Sequence, residues 1–354
     1  MDVSTRKVVV VVMAIAMVLT AGQLVGVFGT TAQAQDVLAG AYVDGTLPVT
    51  EPSSSLWSRA TALEIALSAQ AVVAPIRAGP FVPALRVRLL TNLTHAAFLI
   101  EWDDATKDNR TTRDVEFRDA VAILYGPGDA TRYVCMGGPG KALQVTQWKA
   151  DWQADLEEGF RDLEHAYPNF WVDMYPYAIG GPPYRLPDAF PAEARVYLPG
   201  WQVGNPFSDP LKVTAVEDAV AEGFGTLATQ ASQDAVGRGV HSGTGWAVVI
   251  ARPLVSEDPE DVILGAGTIL AFAVWDGSSR DVGSRKSVSS WVDVQLPNPT
   301  AQPFLLVGLA LLIVLVVFSM VVPMLRRRRP QPPKERTRDA SEGDSPESSN
   351  RREG

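Results

Sequence analysis

Residues 84–104 read ALRVRLLTNLTHAAFLIEWDD, and this stretch decides the fold class. ALRVRLLTN (84–92) and HAAFLIEWDD (95–104) are rich in the branched and aromatic residues that suit a pleated surface, and Asn92-Leu93-Thr94 is a short turn between them. RDAVAILYG (118–126) is a third strand, apolar enough to be central in its sheet. The pattern continues through ARVYL (194–198), GFGTLAT (223–229), GWAVVIARPL (245–254), GTILAFAVWDG (267–277) and SVSSWVDVQL (287–296). Short strands punctuated by Gly, Pro and Asp turns predict an all-β antiparallel sandwich rather than an α/β fold. The Trp-Asp pairs at 102–103 and 275–276 are expected to close two similar hairpins.

One segment breaks the strand pattern. KADWQADLEEGFRDLEHAY (149–167) places Trp152, Leu156, Phe160 and Leu163 at helical spacing. The proline- and aromatic-rich run that follows, 168–191, has little periodicity. Residues 150–193 therefore read as a helical and aromatic insertion in a sandwich domain spanning 84–300, with 35–83 as an N-terminal arm.

The ends of the chain carry targeting signals. Arg6 and Lys7 precede the apolar run 8–20, and Ala32-Gln33-Ala34 is a small-x-small cleavage site, so 1–34 reads as a secretory signal peptide. An uncleaved anchor helix is the alternative, because apolar character continues to Phe28. FLLVGLALLIVLVVFSMVVPML (304–325) carries no charge, and at 1.5 Å per residue it is long enough to cross a bilayer core of about 30 Å. RRRR (326–329) follows at once and belongs on the cytoplasmic side. Residues 326–354 form a disordered cytoplasmic tail by composition. The expected arrangement is a single-pass membrane protein with its body outside the cytoplasm.

Of the 40 acidic residues in the 354-residue chain, 33 fall in 36–300, against 20 of the 31 lysines and arginines, a net of −13 for the body. Such a surface excludes nucleic acid and anionic lipid as partners and suits a cationic protein or plain solubility. The single cysteine excludes an internal disulfide. Asn92-Leu-Thr and Asn109-Arg-Thr match the glycosylation sequon.

YVCMGGPGK (133–141) invites a phosphate-loop reading, but GxxxxGK[ST] needs glycine where Cys135 stands and Ser or Thr where Ala142 stands. Cys135 has no histidine in a companion motif, GxSxG is absent, and His95, His165 and His241 are scattered singly. Nothing in this pattern indicates hydrolytic catalysis or a zinc site. The body holds two methionines, Met136 and Met174, and five lysines, Lys107, Lys141, Lys149, Lys212 and Lys286. A lysine can lose its proton on burial and coordinate a metal, which arginine cannot, and a thioether is a soft ligand that suits haem iron. From the residues alone, Met136 reads first as core filler and Lys286 as surface charge.

A family resemblance bears on that choice. FLIEWDDATKD (98–108), FRDAVAILY (117–125), MGGPGKALQVTQWKADWQ (136–153), AEGFGTLATQ (221–230), GRGVHSGTGWAVVIARPL (237–254) and AFAVWDGSSRDVGSRKSVSSW (271–291) run in family order. Together the stretches resemble the haem-binding gamma subunits of the ethylbenzene dehydrogenase group, which includes the subunits of dimethyl sulfide dehydrogenase and of outward-facing nitrate or nitrite oxidoreductases. These are partners of molybdenum enzymes of the dimethyl-sulfoxide-reductase superfamily.

The resemblance implies a sandwich holding a non-covalent haem b between a methionine matching Met136 and a lysine matching Lys286. Gly137 and Gly138 would let the backbone approach the porphyrin, and Lys212 is the nearest competitor for the lysine role. It implies a non-catalytic electron-transfer subunit, partnered by a molybdopterin catalytic subunit and an iron–sulfur subunit, with an external carrier such as a cytochrome c. Two features depart from the group. Several of its gamma subunits lack a membrane span, and 165–195 is poorly matched. The rival expectation is a membrane-anchored carbohydrate-binding sandwich without haem, using Trp171, Trp201 and Tyr184 in loop-like sequence.

Overall fold

In the computed structural model the chain divides into two units, Met1–Pro297 and Asn298–Gly354. The structure describes residues 36–128 except 73 and 75, then 136–170, 176–180, 187 and 189–297, with five positions beyond. Those five, Leu312, Leu315, Val316, Phe318 and Ser319, are helical. The signal peptide, nearly all of the 304–325 span, and the 326–354 tail lie outside the described residues. Among the described residues no helix is long and apolar enough to cross a membrane.

The first unit is an all-β sandwich. One sheet runs β8 (Ala228–Thr229), β7 (Val216–Ala221), β6 (Leu143–Lys149), β5 (Ala120–Pro127), β11 (Thr268–Trp275), with β12 (Ser287–Ser289) and β13 (Val292–Gln295) sharing the far side of β11. The other runs β9 (Val236–His241), β10 (Gly245–Pro253), β4 (His95–Asp103), β3 (Ala84–Thr91), β2 (Leu63–Ala69). Among the described residues all but two pairings are antiparallel; the exceptions both involve β1 (Val37–Tyr42), which lies parallel to β13 and then to β3.

The 84–104 hairpin forms as expected, with Leu89 opposite Phe98. Its turn is fastened by Asn92 Oδ1, which accepts from the backbone N–H groups of Thr94 and His95, and Leu93 takes φ 72°.

Inner faces from both sheets build one core. Leu85, Val87, Leu89, Phe98, Ile100, Val248 and Ile250 meet Val121, Ile123, Tyr125, Leu270, Phe272 and Val274. Phe98 and Tyr125 touch edge-on across the gap, and Trp102, Trp148 and Trp246 cluster at one end.

Four details depart from the sequence reading. The 35–83 segment is not a loose arm. β1 and β2 belong to the sandwich, and β2 pairs with β3 of one sheet and then β12 of the other, joining the two. Val43, Leu47, Trp57 and Ala60 pack over the outer face of β3, β4 and β10. ARVYL is part of a 3-10 helix, Ala192–Tyr197, because Pro191 leads the chain into it with no strand partner. In GFGTLAT only Ala228–Thr229 is strand, whereas VEDAVA, LQVTQWK and VGRGVH are strands whose polar residues masked them.

The 149–167 helix is two pieces, α1 (Ala150–Glu158) and α2 (Leu163–Ala166), broken at Gly159 (φ 95°) and restarted by an Asp162 cap. Trp152 is buried while Leu156 and Leu163 stay exposed, so the apolar stripe does not all face the core. Of the two Trp-Asp pairs, 275–276 stands where β11 turns back toward β12, whereas 102–103 ends the second strand of the β3–β4 hairpin, from which the chain crosses to the other sheet.

Candidate functional site

The outer face of the β7-β6-β5-β11-β12 sheet is apolar over β5 and β11, although half-buried sheets usually turn polar residues outward. In β5, Val121, Ile123 and Tyr125 point inward and Ala120, Ala122 and Leu124 outward; in β11, Leu270, Phe272 and Val274 point inward and Ala271, Ala273 and Trp275 outward. Side chains alternate between faces with a period of two, so these strands are large on one side and small on the other.

One row crosses five strands: Glu217, Gln147, Ala122, Ala273 and Val288 stand opposite one another in register. At about 4.8 Å per strand this floor is roughly 19 Å wide. It forms the base of a cavity of about 1030 Å³, large beside the ~300–1,000 Å³ of small-molecule sites. Phe207, Phe224, Leu227, Val72 and Val282 stand around it.

Met136 and Lys286 meet in this cavity. Met136 packs on the floor with Ala120, Ala122, Val145 and Trp275. Lys286 immediately precedes β12, and its backbone carbonyl accepts from Gln70 N–H at the end of β2. Its Nζ lies 3.9 Å from Met136 Sδ and 4.9 Å from the centre of the Trp275 ring.

Among the described residues no carboxylate pairs with this amine, whereas Lys149 pairs with Glu217 and Lys212 with Asp155 at 2.8 Å. Burial without a counter-charge pushes Lys286 down from the ordinary lysine range to about 8. An amine so placed is within reach of its neutral form, which carries a free lone pair. Lys212, the competing lysine, is committed to Asp155 and to the Asp209 carbonyl.

Gly137 and Gly138 do not line the cavity, contrary to the expected approach to a ligand plane. Gly137 has φ 97°, and a Cβ there would lie 2.6 Å from Lys141 O and 2.7 Å from Ala221 O. Gly138 and Lys141 exchange both backbone hydrogen bonds around Pro139-Gly140, with Gly140 at φ 68°, the residue order a type II turn demands. These glycines seat the Met136 loop against β7. Cys135 lies outside the described residues.

The sequence reading missed Lys149 and Glu217 at the edge of the floor. Both are buried; Lys149 Nζ sits 3.9 Å over the Trp152 ring, and Glu217 Oε1 accepts from Thr229 Oγ1. Desolvation pushes Lys149 down to about 8. Every-other-residue alanine in AVAILY and LAFAVW was the signal for the floor. Of the aromatics assigned to the carbohydrate reading, Trp201 is buried with Phe190 and Ala194, and Trp171 and Tyr184 lie outside the described residues.

Comparison with known proteins places this geometry in context. The family described as ethylbenzene dehydrogenase matches residues 54–287. A protein of Haloferax mediterranei named as a respiratory nitrate reductase haem subunit is 22% identical over 258 residues, covering 72% of this chain and 71% of that one. The chlorate reductase subunit gamma of Ideonella dechloratans is 36% identical over 72 residues, 20% of this chain and 30% of that one. Among solved structures, a family 9 carbohydrate-binding module of Caldicellulosiruptor kristjanssonii in complex with glucose aligns over 73% of this chain and 97% of its own, at 10% identity. Its TM-score of 0.32 is too low to bear on fold or ligand.

Proposed function

Because the chain belongs to the ethylbenzene dehydrogenase family, we propose that it is the haem-binding electron-transfer subunit of a molybdenum oxidoreductase complex, in which Met136 and Lys286 would hold the iron of a non-covalent haem b. The observation that carries this reading is the meeting of the thioether and the unpaired amine at 3.9 Å in a large apolar cavity.

The residues fit the group. A soft thioether and an amine without a counter-charge face one another at 3.9 Å, and together they would hold the iron. The alanine floor offers a flat apolar surface, and Trp275 and Phe207 extend it at the sides. Haem b supplies a one-electron couple whose potential follows the identity of its axial ligands and its burial.

The chain's own contribution is to hold two donors on separate elements, keep water from the amine, and fix their approach. Lys286 is set by the β12 junction and Met136 by the glycine-turn loop. The outer collar of Val72, Val282, Phe224 and Leu227 is apolar and exposed, which leaves the cavity mouth accessible to a redox partner.

The relatives extend the reading. One is named as a haem subunit of a respiratory nitrate reductase and one as a chlorate reductase gamma subunit, which supports assembly with a molybdopterin catalytic subunit and an iron–sulfur subunit. The broader coverage of the first favours a nitrate- or nitrite-transforming complex. Extracytoplasmic placement, with 1–34 as the export signal and 304–325 as the anchor, rests on the sequence pattern and belongs to the same proposal, as does exchange with a carrier such as a cytochrome c.

The test is the visible spectrum of the full-length chain, purified with haem and recorded oxidised and reduced. A low-spin spectrum with sharp reduced bands is expected, altered in both Met136→Ala and Lys286→Ala. A folded protein that takes up no haem refutes the reading, and an unchanged spectrum in either variant refutes that ligand.

A further inference from the structure

The cavity floor is mostly apolar, yet haem b carries two carboxylate arms. A carboxylate taken out of water without a partner is strongly disfavoured, so the arms must leave toward a cation or toward solvent. Among the described residues the cations that line the cavity are Lys286, Arg113 and Arg118. Lys286 faces Met136, and Arg113 is half exposed and held by Glu116. The acids of the lining are engaged elsewhere or open to water: Glu217 pairs with Lys149, Asp281 with Arg77, and Asp114 is exposed. Arg118 is the group left to receive an anion.

Its placement suits that role. Arg118, Ala120, Ala122 and Leu124 line the cavity at every second residue, and Met136 packs on the two alanines. The guanidinium stands 5.2 Å from the centre of the Phe207 ring, and Nη1 donates to Asp151 Oδ2 at 2.8 Å. Asp151 also accepts from Thr111 Oγ1 and lies in the first turn of α1, where the helix dipole favours its charge. Among the described residues Nε and Nη2 of Arg118 meet no acceptor, and neither atom is sealed inside the protein. One corner of the guanidinium is therefore fixed, and the open edge is the fork that grips a carboxylate through two parallel hydrogen bonds.

A second cavity, of about 580 Å³, adjoins the first at this point. Thr111, Arg118 and Phe207 line both, and the second adds Thr112, Arg161 and Ser208. Its acids are engaged, Asp151 by Arg118 and Asp162 by the cap of α2. We propose that Arg118 anchors a carboxylate arm of haem b, and that the arm runs past it from the large cavity into the small one. This rests on the haem reading above and adds an orientation to it: the carboxylate edge of the ring faces the 111–118 loop and α1.

The test uses the full-length chain in detergent, freed of haem and titrated with haem b or with its dimethyl ester, in which both carboxylates are capped while iron and ring are unchanged. Binding is read from the Soret band. The wild type is expected to bind the ester at least about 10-fold more weakly. Arg118→Gln is expected to treat the two forms alike, binding haem b as weakly as the wild type binds the ester, and to keep the low-spin spectrum because Met136 and Lys286 are untouched. Arg118→Lys, which keeps the charge opposite Asp151, covers a failure of the Gln variant to fold and is expected to retain only part of the preference. Equal binding of both forms by the wild type, or an undiminished preference in either variant, overturns this proposal and leaves the haem reading standing. Uptake of neither form overturns both.

Discussion

Substituting Asp218 by Asn should flatten the pH dependence of stability between pH 4 and pH 7. Asp218 lies on β7, facing the sandwich interior, with almost no exposure. Its Oδ2 accepts from the backbone N–H groups of Asp234 and Ala235, while Oδ1 is buried and meets no partner among the described residues. Burial, with the negative charges of Asp234 and Asp261 nearby, pushes its carboxyl up from 3.8 to about 7. Tyr125 and Arg252 also face this pocket, and Arg252 is engaged by Gln144 and Asp261.

In the unfolded chain Asp218 ionises near 3.8 and in the folded chain near 7, so the folded state holds more protons across that window. Stability therefore falls as pH rises from about 4 to about 7, by up to 1.36 kcal/mol per pH unit for one proton. The rise from 3.8 to about 7 corresponds to about 4 kcal/mol. Asn keeps the acceptor for the two N–H groups and removes the titration. Urea denaturation of both proteins at pH 4.5, 6 and 8 tests this: the wild type should lose stability relative to Asp218→Asn as pH rises. Carboxylates remote from Asp218 contribute to both curves alike, so the difference isolates Asp218 together with its coupling to Asp234 and Asp261. Parallel pH profiles would refute the reasoning.

Three further outcomes are expected. Gly137→Ala forces a side chain into positive φ and against two carbonyl oxygens; a loss of roughly 2–4 kcal/mol by denaturant titration is expected, together with reduced haem content as the Met136 loop lifts. Ala122→Leu fills the cavity floor from the outward face, so haem uptake read from the spectrum should fall sharply while the midpoint of unfolding changes little. Glu217→Ala leaves the buried Lys149 ammonium unpaired and should cost about 3–5 kcal/mol, which Lys149→Met in the same chain should largely restore; a single variant as stable as wild type would show that the pair contributes nothing.

Local pattern was enough for several elements. The run from Ala84 to Asp104 has a turn between two apolar-rich segments, and no tertiary contact is needed to read a hairpin there. The helix over 150–158 was legible from the spacing of its apolar residues. Its premature end was not, because Gly159 looks like any helix-interior glycine until its φ is known. VEDAVA and LQVTQWK were hidden for a different reason: Asp218, Gln144 and Thr146 are polar residues buried by hydrogen bonds to distant partners, such as Thr146 to Tyr125 and Gln144 to Arg252. Periodicity counts them as exposed.

Composition and local spacing thus determined an all-β body with an interrupting helical segment, and the motif resemblance named Met136 and Lys286 as a pair. Neither could show that two residues 150 positions apart would lie 3.9 Å from each other. That depends on β2 leaving one sheet to pair with β12 of the other, which anchors Lys286, and on the Gly137 loop closing against β7. The reason is physical: a strand's own residues specify which side chains share a face, but the neighbour it pairs with, and so what stands across that face, is settled only when the whole sandwich closes around its core.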